Sequence, residues 1–335
     1  MRVLMVTGGA GFIGSNFIKY ILQRNQDVIV INFDKLTYAG KVENLQDLAA
    51  HPRYYFTQGD ISTAKEVKRI IQECDPDDVI NFAAESHVDR SITDPLVFGR
   101  SNLMGTLTLL HCFKEHWEKN GFTGKRFIQV STDEVYGSLD NEAEQFSEHS
   151  MIRPNSPYSA SKAAADLMAR AFARTYGFPV IVTRCCNNYG PNQDKEKFIP
   201  HSILQVLQDM PLTVYGDGSH KREWIHVLDH CAALAEILSD GEPGEVYNIG
   251  SGEETSNLEM ARTILNMLGK PADALVQVAD RPGHDWRYAL DSTKLKTKLG
   301  WQCRYHLNEG IRDTIQWYRD NRAWWDKPDS INPLG

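Results

Sequence analysis

Thr7-Gly8-Gly9-Ala10-Gly11-Phe12-Ile13-Gly14 joins an apolar run to an amphipathic one through three spaced glycines, Gly8, Gly11 and Gly14. It follows an apolar run, Arg2–Val6, that reads as a strand. It opens Phe12–Arg24, which reads as a helix with Phe17, Ile21 and Leu22 facing inward. One glycine permits a tight turn, one lets the backbone approach a pyrophosphate, and one lets helix and strand pack closely. The helix N-terminus offers amide N–H groups and the positive end of its dipole to a phosphate. A second strand, Asp27–Phe33, runs into Asp34, 20 residues after Gly14. An acid there accepts hydrogen bonds from the adenosine ribose hydroxyls and repels a 2′-phosphate, which predicts NAD rather than NADP. Lys35 follows it and works in the other direction.

Outward from this loop the pattern repeats. Tyr54–Thr57, Val79–Phe82, Arg126–Val130 and Pro179–Arg184 read as strands, with helices over about 64–73, 96–118 and 158–176 between them. Nearly all-apolar strands alternating with helices mean a parallel sheet covered on both faces. The expectation is therefore an α/β, Rossmann-type doubly wound fold, with an NAD-binding domain over 1–189. Residues 190–335 are expected to form mainly a smaller substrate-binding lobe, with some segments returning to the first domain. Gly59-Asp60-Ile61 and Phe82-Ala83-Ala84 follow strands, at the sheet edge where such folds hold ligands.

Composition narrows the function classes. The chain has 335 residues, 41% of them hydrophobic, so disorder is excluded as its main state. A formal charge of −8 argues against nucleic acid as a partner. No apolar run is long enough for a membrane span. The first strand begins almost at Met1, leaving no room for a signal peptide, and a cytoplasmic protein is expected. The 6 cysteines show no C-x-x-C spacing and read as reduced, packed thiols, with no metal site expected.

Two further motifs carry chemistry. Tyr158 and Lys162 stand one helical turn apart on one face. An ammonium beside a phenol lowers its pKa and lets it serve as a base. Ser131-Thr132-Asp133-Glu134-Val135-Tyr136-Gly137 closes the fifth strand. Two acids at one strand end suit an elimination, one taking a proton and the other giving one to a departing hydroxyl.

With these motifs the chain resembles the NAD-dependent dTDP-glucose 4,6-dehydratases of the extended short-chain dehydrogenase/reductase superfamily. The resemblance runs from Val3 to about Trp325. It rests on residues 7–14, 34–40, 82–91, 131–137, 154–162, 187–191, 222–227 and 280–285, of which 7–14 and 154–162 belong to the wider superfamily. It implies that Tyr158 takes the C4 hydroxyl proton while the C4 hydride goes to NAD, with Thr132 and Lys162 orienting. Glu134 then takes the C5 proton and Asp133 protonates the C6 hydroxyl as it leaves. It implies NAD contacts at Gly8, Gly11, Phe12, Ile13, Gly14, Asp34, Lys35, Leu36, Thr37, Asp60, Ile61, Phe82, Ala83, Ala84, Ser101, Tyr158, Lys162 and Asn187. The nucleotide sugar is expected against Ser86, His87, Thr132, Asn188, Lys197, Phe198, Val214, Tyr215, Arg222, Asn257, Asp280, Arg281 and His284. A homodimer is implied through helices near 98–117 and 158–175.

The chain departs from that pattern in the polar run Asn192–Lys197, in Ser101 where Thr is usual, and in Phe198 where Leu is usual. Alternatives on the same fold are a dehydratase for UDP- or other nucleotide-glucoses, a nucleotide-sugar 4-epimerase, and a decarboxylase. The epimerase needs no acid pair, and the decarboxylase generally shows one acid. A non-catalytic NAD-binding scaffold would need none of these residues together.

Overall fold

The computed structural model describes residues 1–280 and 283–326. In chain order the strands are β1 (Arg2–Thr7), β2 (Val28–Asp34), β3 (Tyr54–Gln58), β4 (Asp78–Asn81), β5 (Arg126–Thr132) and β6 (Val180–Cys185). They continue with β7 (Asn187–Tyr189), β8 (Leu212–Tyr215), β9 (Lys221–His226), β10 (Val246–Ile249), β11 (Glu254–Ser256) and β12 (Leu275–Val278). The main sheet runs β10-β6-β5-β4-β1-β2-β3. All its pairings are parallel, with Val6 opposite Asn32 on one side and Ile80 on the other. The chain steps from β1 to β2 in one direction and to β4 in the other. That reversal opens a crevice at the strand C-termini, where Gly8 and Ala83 sit.

Both faces of this sheet are covered. On one, the helices Phe12–Arg24 and Val227–Asp240 contribute Phe17, Ile18, Ile21, Cys231, Leu234 and Ile237 to a core that includes Val6, Ile80 and Ile128. On the other, Ala64–Cys74 and Thr106–Trp117 pack Val67, Ile70, Leu109 and Phe113 against Met5, Val79 and Phe127. Each such side chain contributes about 1.5–3 kcal/mol when fully buried. The nearly uninterrupted burial of β4 and β6 is why their sequences lack polar alternation.

The helix Pro157–Tyr176 begins at a capping box, with the Ser159 N–H donating to Ser156 Oγ at 3.1 Å and Pro157 in the first turn. It ends at Gly177, whose φ of +64° suits a residue without a Cβ. These two signals fix where Tyr158 and Lys162 stand relative to β5.

A second layer of structure lies beyond β6. β7 and β9 pair parallel, β9 and β11 antiparallel, and β8 and β12 form a separate parallel pair. Tyr189, Ile203, Val214, Trp224, Ile264 and Tyr318 make its own core. No local alternation marks β10 as the seventh strand of the main sheet; it is buried on both faces and joins only through its pairing with β6. The helical run expected over 96–118 is confirmed, with a wider-wound turn at Gly99–Gly105. A Cβ on Gly105 would come within 2.6 Å of Ile61 Cδ1, so the close helix approach there needs glycine. Among the described residues, no helix is long and apolar enough to cross a membrane.

Candidate active site

One cavity runs along the strand C-termini, from the glycine loop to Lys197. At its floor, Gly8 has φ +67°, and a Cβ there would stand 2.5 Å from Ala83 N. A Cβ on Gly14 would lie 2.5 Å from the Gly8 carbonyl, so helix and loop meet only because residue 14 is glycine. The helix that starts at Phe12 has Gly11 as its N-cap, no side-chain cap and no acid in its first turn. Its first N–H groups therefore keep their capacity for an anion.

Asp34 is fixed beside this loop. Its carboxylate accepts from the N–H of Ala10 and of Leu36, both at 2.8 Å. Burial raises its pKa, while those two N–H groups oppose the shift. Lys35, which in sequence works against the NAD choice, points its Nζ to Asp60 Oδ2 at 2.9 Å. That pairing offsets the charge a 2′-phosphate would seek. The uncapped helix end, the glycine approach and the ribose acid together fit a dinucleotide.

At the end of β5 the chain turns sharply through Asp133–Tyr136. Thr132 Oγ1 donates to Asp133 Oδ1 at 3.1 Å and accepts from the Glu134 N–H at 3.3 Å. Asp133 is almost fully buried, and its Oδ2 has no hydrogen-bond partner among the described residues. Burial, reinforced by the nearby Glu134 carboxylate, pushes its pKa well above the usual carboxylate range. Burial thus favours the protonated form of Asp133, while Glu134 beside it is less buried.

Tyr158 faces the same cavity, its ring edge-on to Phe98 with centroids 6.3 Å apart. Lys162 Nζ donates to the Val130 carbonyl at 2.7 Å, and burial lowers its pKa to about 8. The expected lowering of the phenol pKa does not occur in the chain alone. Burial and then Glu134 push Tyr158 well above its ordinary value, and Lys162 turns its ammonium to the backbone.

The cavity gathers most of the expected contacts. Gly8, Gly11, Phe12, Ile13, Gly14, Asp34, Lys35, Thr37, Asp60, Ile61, Phe82, Ala83, Ala84, Ser101 and Asn187 line it, with Ser86, Thr132, Asp133, Glu134, Tyr158, Lys162, Asn188 and Lys197. Leu36 and His87 do not line it. His87 Nε2 lies 3.4 Å from Glu196 Oε2, and Leu36 holds a left-handed φ of +59°. Phe198, Val214, Tyr215, Arg222, Asn257, Asp280 and His284 do not line it. Arg222 is buried, donating to the carbonyls of Lys221, Trp286 and Asp285 at 2.7–3.2 Å and lying over the Tyr288 ring. His284 Nδ1 lies 2.7 Å from Asp280 Oδ1 and its ring stacks on His220. Phe198 stacks on Trp224, and the Asn257 N–H donates to the His220 carbonyl at 2.9 Å. Arg281 lies outside the described residues.

Residues that the sequence reading missed also line the cavity, notably Cys185, Gln193, Asp194 and Glu196. Three of them belong to the polar run. Asp194 pairs with Lys41 at 3.1 Å, Arg90 approaches Glu196 at 3.5 Å, and Lys197 Nζ donates to the Ser86 carbonyl at 2.7 Å. Their signal was alternating charge in a loop between two motifs, which looks the same as a solvated turn.

A glycine-loop dinucleotide cradle, a Tyr–Lys pair and a strand-end acid pair define an enzyme of the short-chain dehydrogenase/reductase type. The model of the GDP-mannose 4,6 dehydratase family matches residues 5–314, and the chain belongs to that family. It is 47% identical to the dTDP-glucose 4,6-dehydratase of Xanthomonas campestris pv. campestris strain B100, over 97% of this chain and 95% of that one. The crystal structure of the dTDP-glucose 4,6-dehydratase of Streptomyces venezuelae, with NAD bound, superposes at a TM-score of 0.91 and 47% identity, covering 97% and 99% of the two chains. The UDP-glucose 4-epimerase of Thermus thermophilus, in complex with NAD, shares the fold at a TM-score of 0.86 but only 32% identity, over 96% and 100%.

Proposed function

We propose that this chain converts dTDP-glucose to dTDP-4-keto-6-deoxyglucose with an NAD that is reduced and reoxidised within each turnover. One observation carries the reading: Asp133, buried and with its pKa pushed up by that burial, stands beside Glu134 in the same cavity as Tyr158 and Lys162. The curated relatives at 47% identity are dTDP-glucose 4,6-dehydratases, which supports the choice of nucleotide.

NAD, when bound, supplies the hydride acceptor and donor, and its positive ring adds the cation that the Tyr158 phenol needs in order to ionise. The glycine loop and Asp34 hold the dinucleotide. Tyr158 removes the proton of the C4 hydroxyl, with Thr132 orienting that oxygen and Lys162 favouring the phenolate. The resulting 4-ketone makes the C5 hydrogen acidic, and Glu134 takes it. Asp133 gives its proton to the C6 hydroxyl, which leaves as water. Two electrons leave C4 and two return at C6, C5 regains a proton from Glu134, and the proton held by Tyr158 passes by way of solvent back to Asp133, so the net change is loss of one water. A 4-epimerase would have no use for a neutral acid at position 133.

Residues 1–189 form the cofactor domain in this reading, and 190–335 form mainly the substrate lobe, with some segments returning to the first domain and the nucleotide contacts at Val214, Tyr215, Arg222, Asn257, Asp280, Arg281 and His284. The exposed Leu96, Val97, Met104, Leu167, Met168 and Tyr176, on two helical segments, are an apolar face that a homodimer would cover. The enzyme works in the cytoplasm. Incubation with dTDP-glucose followed by alkali should produce the 4-keto-sugar chromophore. Release of dTDP-galactose, with no chromophore, would establish an epimerase instead.

A further inference from the structure

We propose that Arg184 is a positioning residue that locks the strand-end turn bearing Asp133 and Glu134 to the helix bearing Tyr158 and Lys162. Arg184 lies on β6, opposite Ser131 of β5 and Asn248 of β10. Its side chain is fully buried. Nε and Nη2 donate to the two carboxylate oxygens of Asp166 at 2.7 and 3.0 Å. Asp166 is on the helix Pro157–Tyr176, one turn beyond Lys162 and two beyond Tyr158. Nη1 donates to the Tyr136 hydroxyl at 2.7 Å, and the guanidinium lies 4.7 Å from the Tyr136 ring centroid. Tyr136 ends the turn that begins at Asp133. Its hydroxyl in turn donates to Asn248 Oδ1 at 2.7 Å.

One planar cation thus joins both halves of the active site, each by charge-assisted or short hydrogen bonds. A bidentate arginine–carboxylate pair fixes distance and angle together. A buried ion pair is a poor way to gain stability, since apolar residues of the same volume often do as well. Fixing one arrangement is the use such a pair serves better. Elimination needs the C5 and C6 positions of the sugar at Glu134 and Asp133 while C4 stays at Tyr158, so a small slip between turn and helix separates oxidation from elimination.

The inference rests on the dehydratase reading, and the test separates the two. Tyr136→Phe cuts the tie on the turn side and leaves the Arg184–Asp166 pair intact. Elimination should then become rate-limiting. Turnover should fall about tenfold with KM little changed, reduced nicotinamide should accumulate on the enzyme, and the kinetic isotope effect from deuterium at C4 should shrink. Asp166→Asn loosens the helix side. Turnover should fall with no such accumulation, the C4 isotope effect should grow, and Asp166→Glu should restore part of the rate. Folding of each variant is checked by melting and NAD binding, and if Tyr136→Phe does not fold, the Asp166 pair of variants decides. Folded variants whose C4 isotope effect and cofactor reduction both match the wild type would overturn the proposal alone. A wild type that makes no 4-keto product would overturn the dehydratase reading, and the proposal with it.

Discussion

The strand-end crevice and the outer lobe hold their candidate residues in different ways. In the crevice, Asp34, Thr132, Asp133, Tyr158 and Lys162 sit at strand ends or in a helix's first turns, and they share one cavity. In the lobe, Arg222 is engaged by three carbonyls, His284 by Asp280 and His220, and Phe198 by Trp224, none of them on that cavity. The sheet presents its candidate groups in one cavity, whereas the lobe holds its candidates in contacts with backbone carbonyls and neighbouring rings. Chemistry should therefore depend on single atoms in the crevice, and nucleotide choice on the combined placement of lobe segments.

The sharpest way to break this contrast is to change the acid pair. Asp133→Asn should lower kcat by roughly 10²–10⁴, the range for a lost general acid. Glu134→Gln should still oxidise C4 but stop exchange of the C5 hydrogen with deuterated water; wild-type exchange in that variant would move the base elsewhere. Next comes the nucleotide. One buried methyl contributes ~0.8 kcal/mol, and rejection of the 2′-hydroxyl adds to it, so dTDP-glucose should exceed UDP-glucose in kcat/KM by roughly 10- to 1000-fold. Equal use of both would remove the lobe from nucleotide selection and leave the crevice chemistry untouched.

Asp34→Ala deletes an acceptor held by two backbone N–H groups. It should weaken NAD by roughly 10- to 100-fold, as expected for losing hydrogen bonds to a charged group, and narrow the margin over NADP. Titration of both cofactors checks it. The pH dependence is milder. Burial lowers the Lys162 pKa to about 8. Above that value Lys162 loses its charge and with it the support for the phenolate, so kcat/KM should fall on the alkaline side; a flat profile there would contradict its role. The same shift has the opposite sign for stability. The unfolded chain binds this proton more tightly, so the Lys162 contribution rises with pH from about 8 towards 10.5. The smallest effect belongs to Asp194→Asn, which breaks the Lys41 pair. Thermal melting should show a loss of only ~0–1 kcal/mol.

The crevice was legible in sequence because each motif carries its own geometry. The glycine spacing requires a strand, a turn and a helix. Tyr158 and Lys162 need only one helical turn, and Asp133–Glu134 need only the end of β5. What was hidden arises from tertiary contact. β10 enters the main sheet by pairing with β6 across a long sequence separation, and its four residues, Val246–Ile249, show nothing of that. Glu196 and Asp194 reach the cavity because Arg90 and Lys41 hold their loop there. The upward shift of the Tyr158 pKa comes from burial and then from Glu134, and the helical spacing of Tyr158 and Lys162 shows neither.

The central claim is that oxidation at C4 serves only to release the C5 proton to Glu134, with the cofactor returned unchanged. Turnover of dTDP-glucose in deuterated water, followed by NMR of the product and by nicotinamide absorbance, tests it most directly. One deuterium at C5 and no net reduced nicotinamide are expected. Product with protium retained at C5, or reduced cofactor formed in step with product, would contradict it.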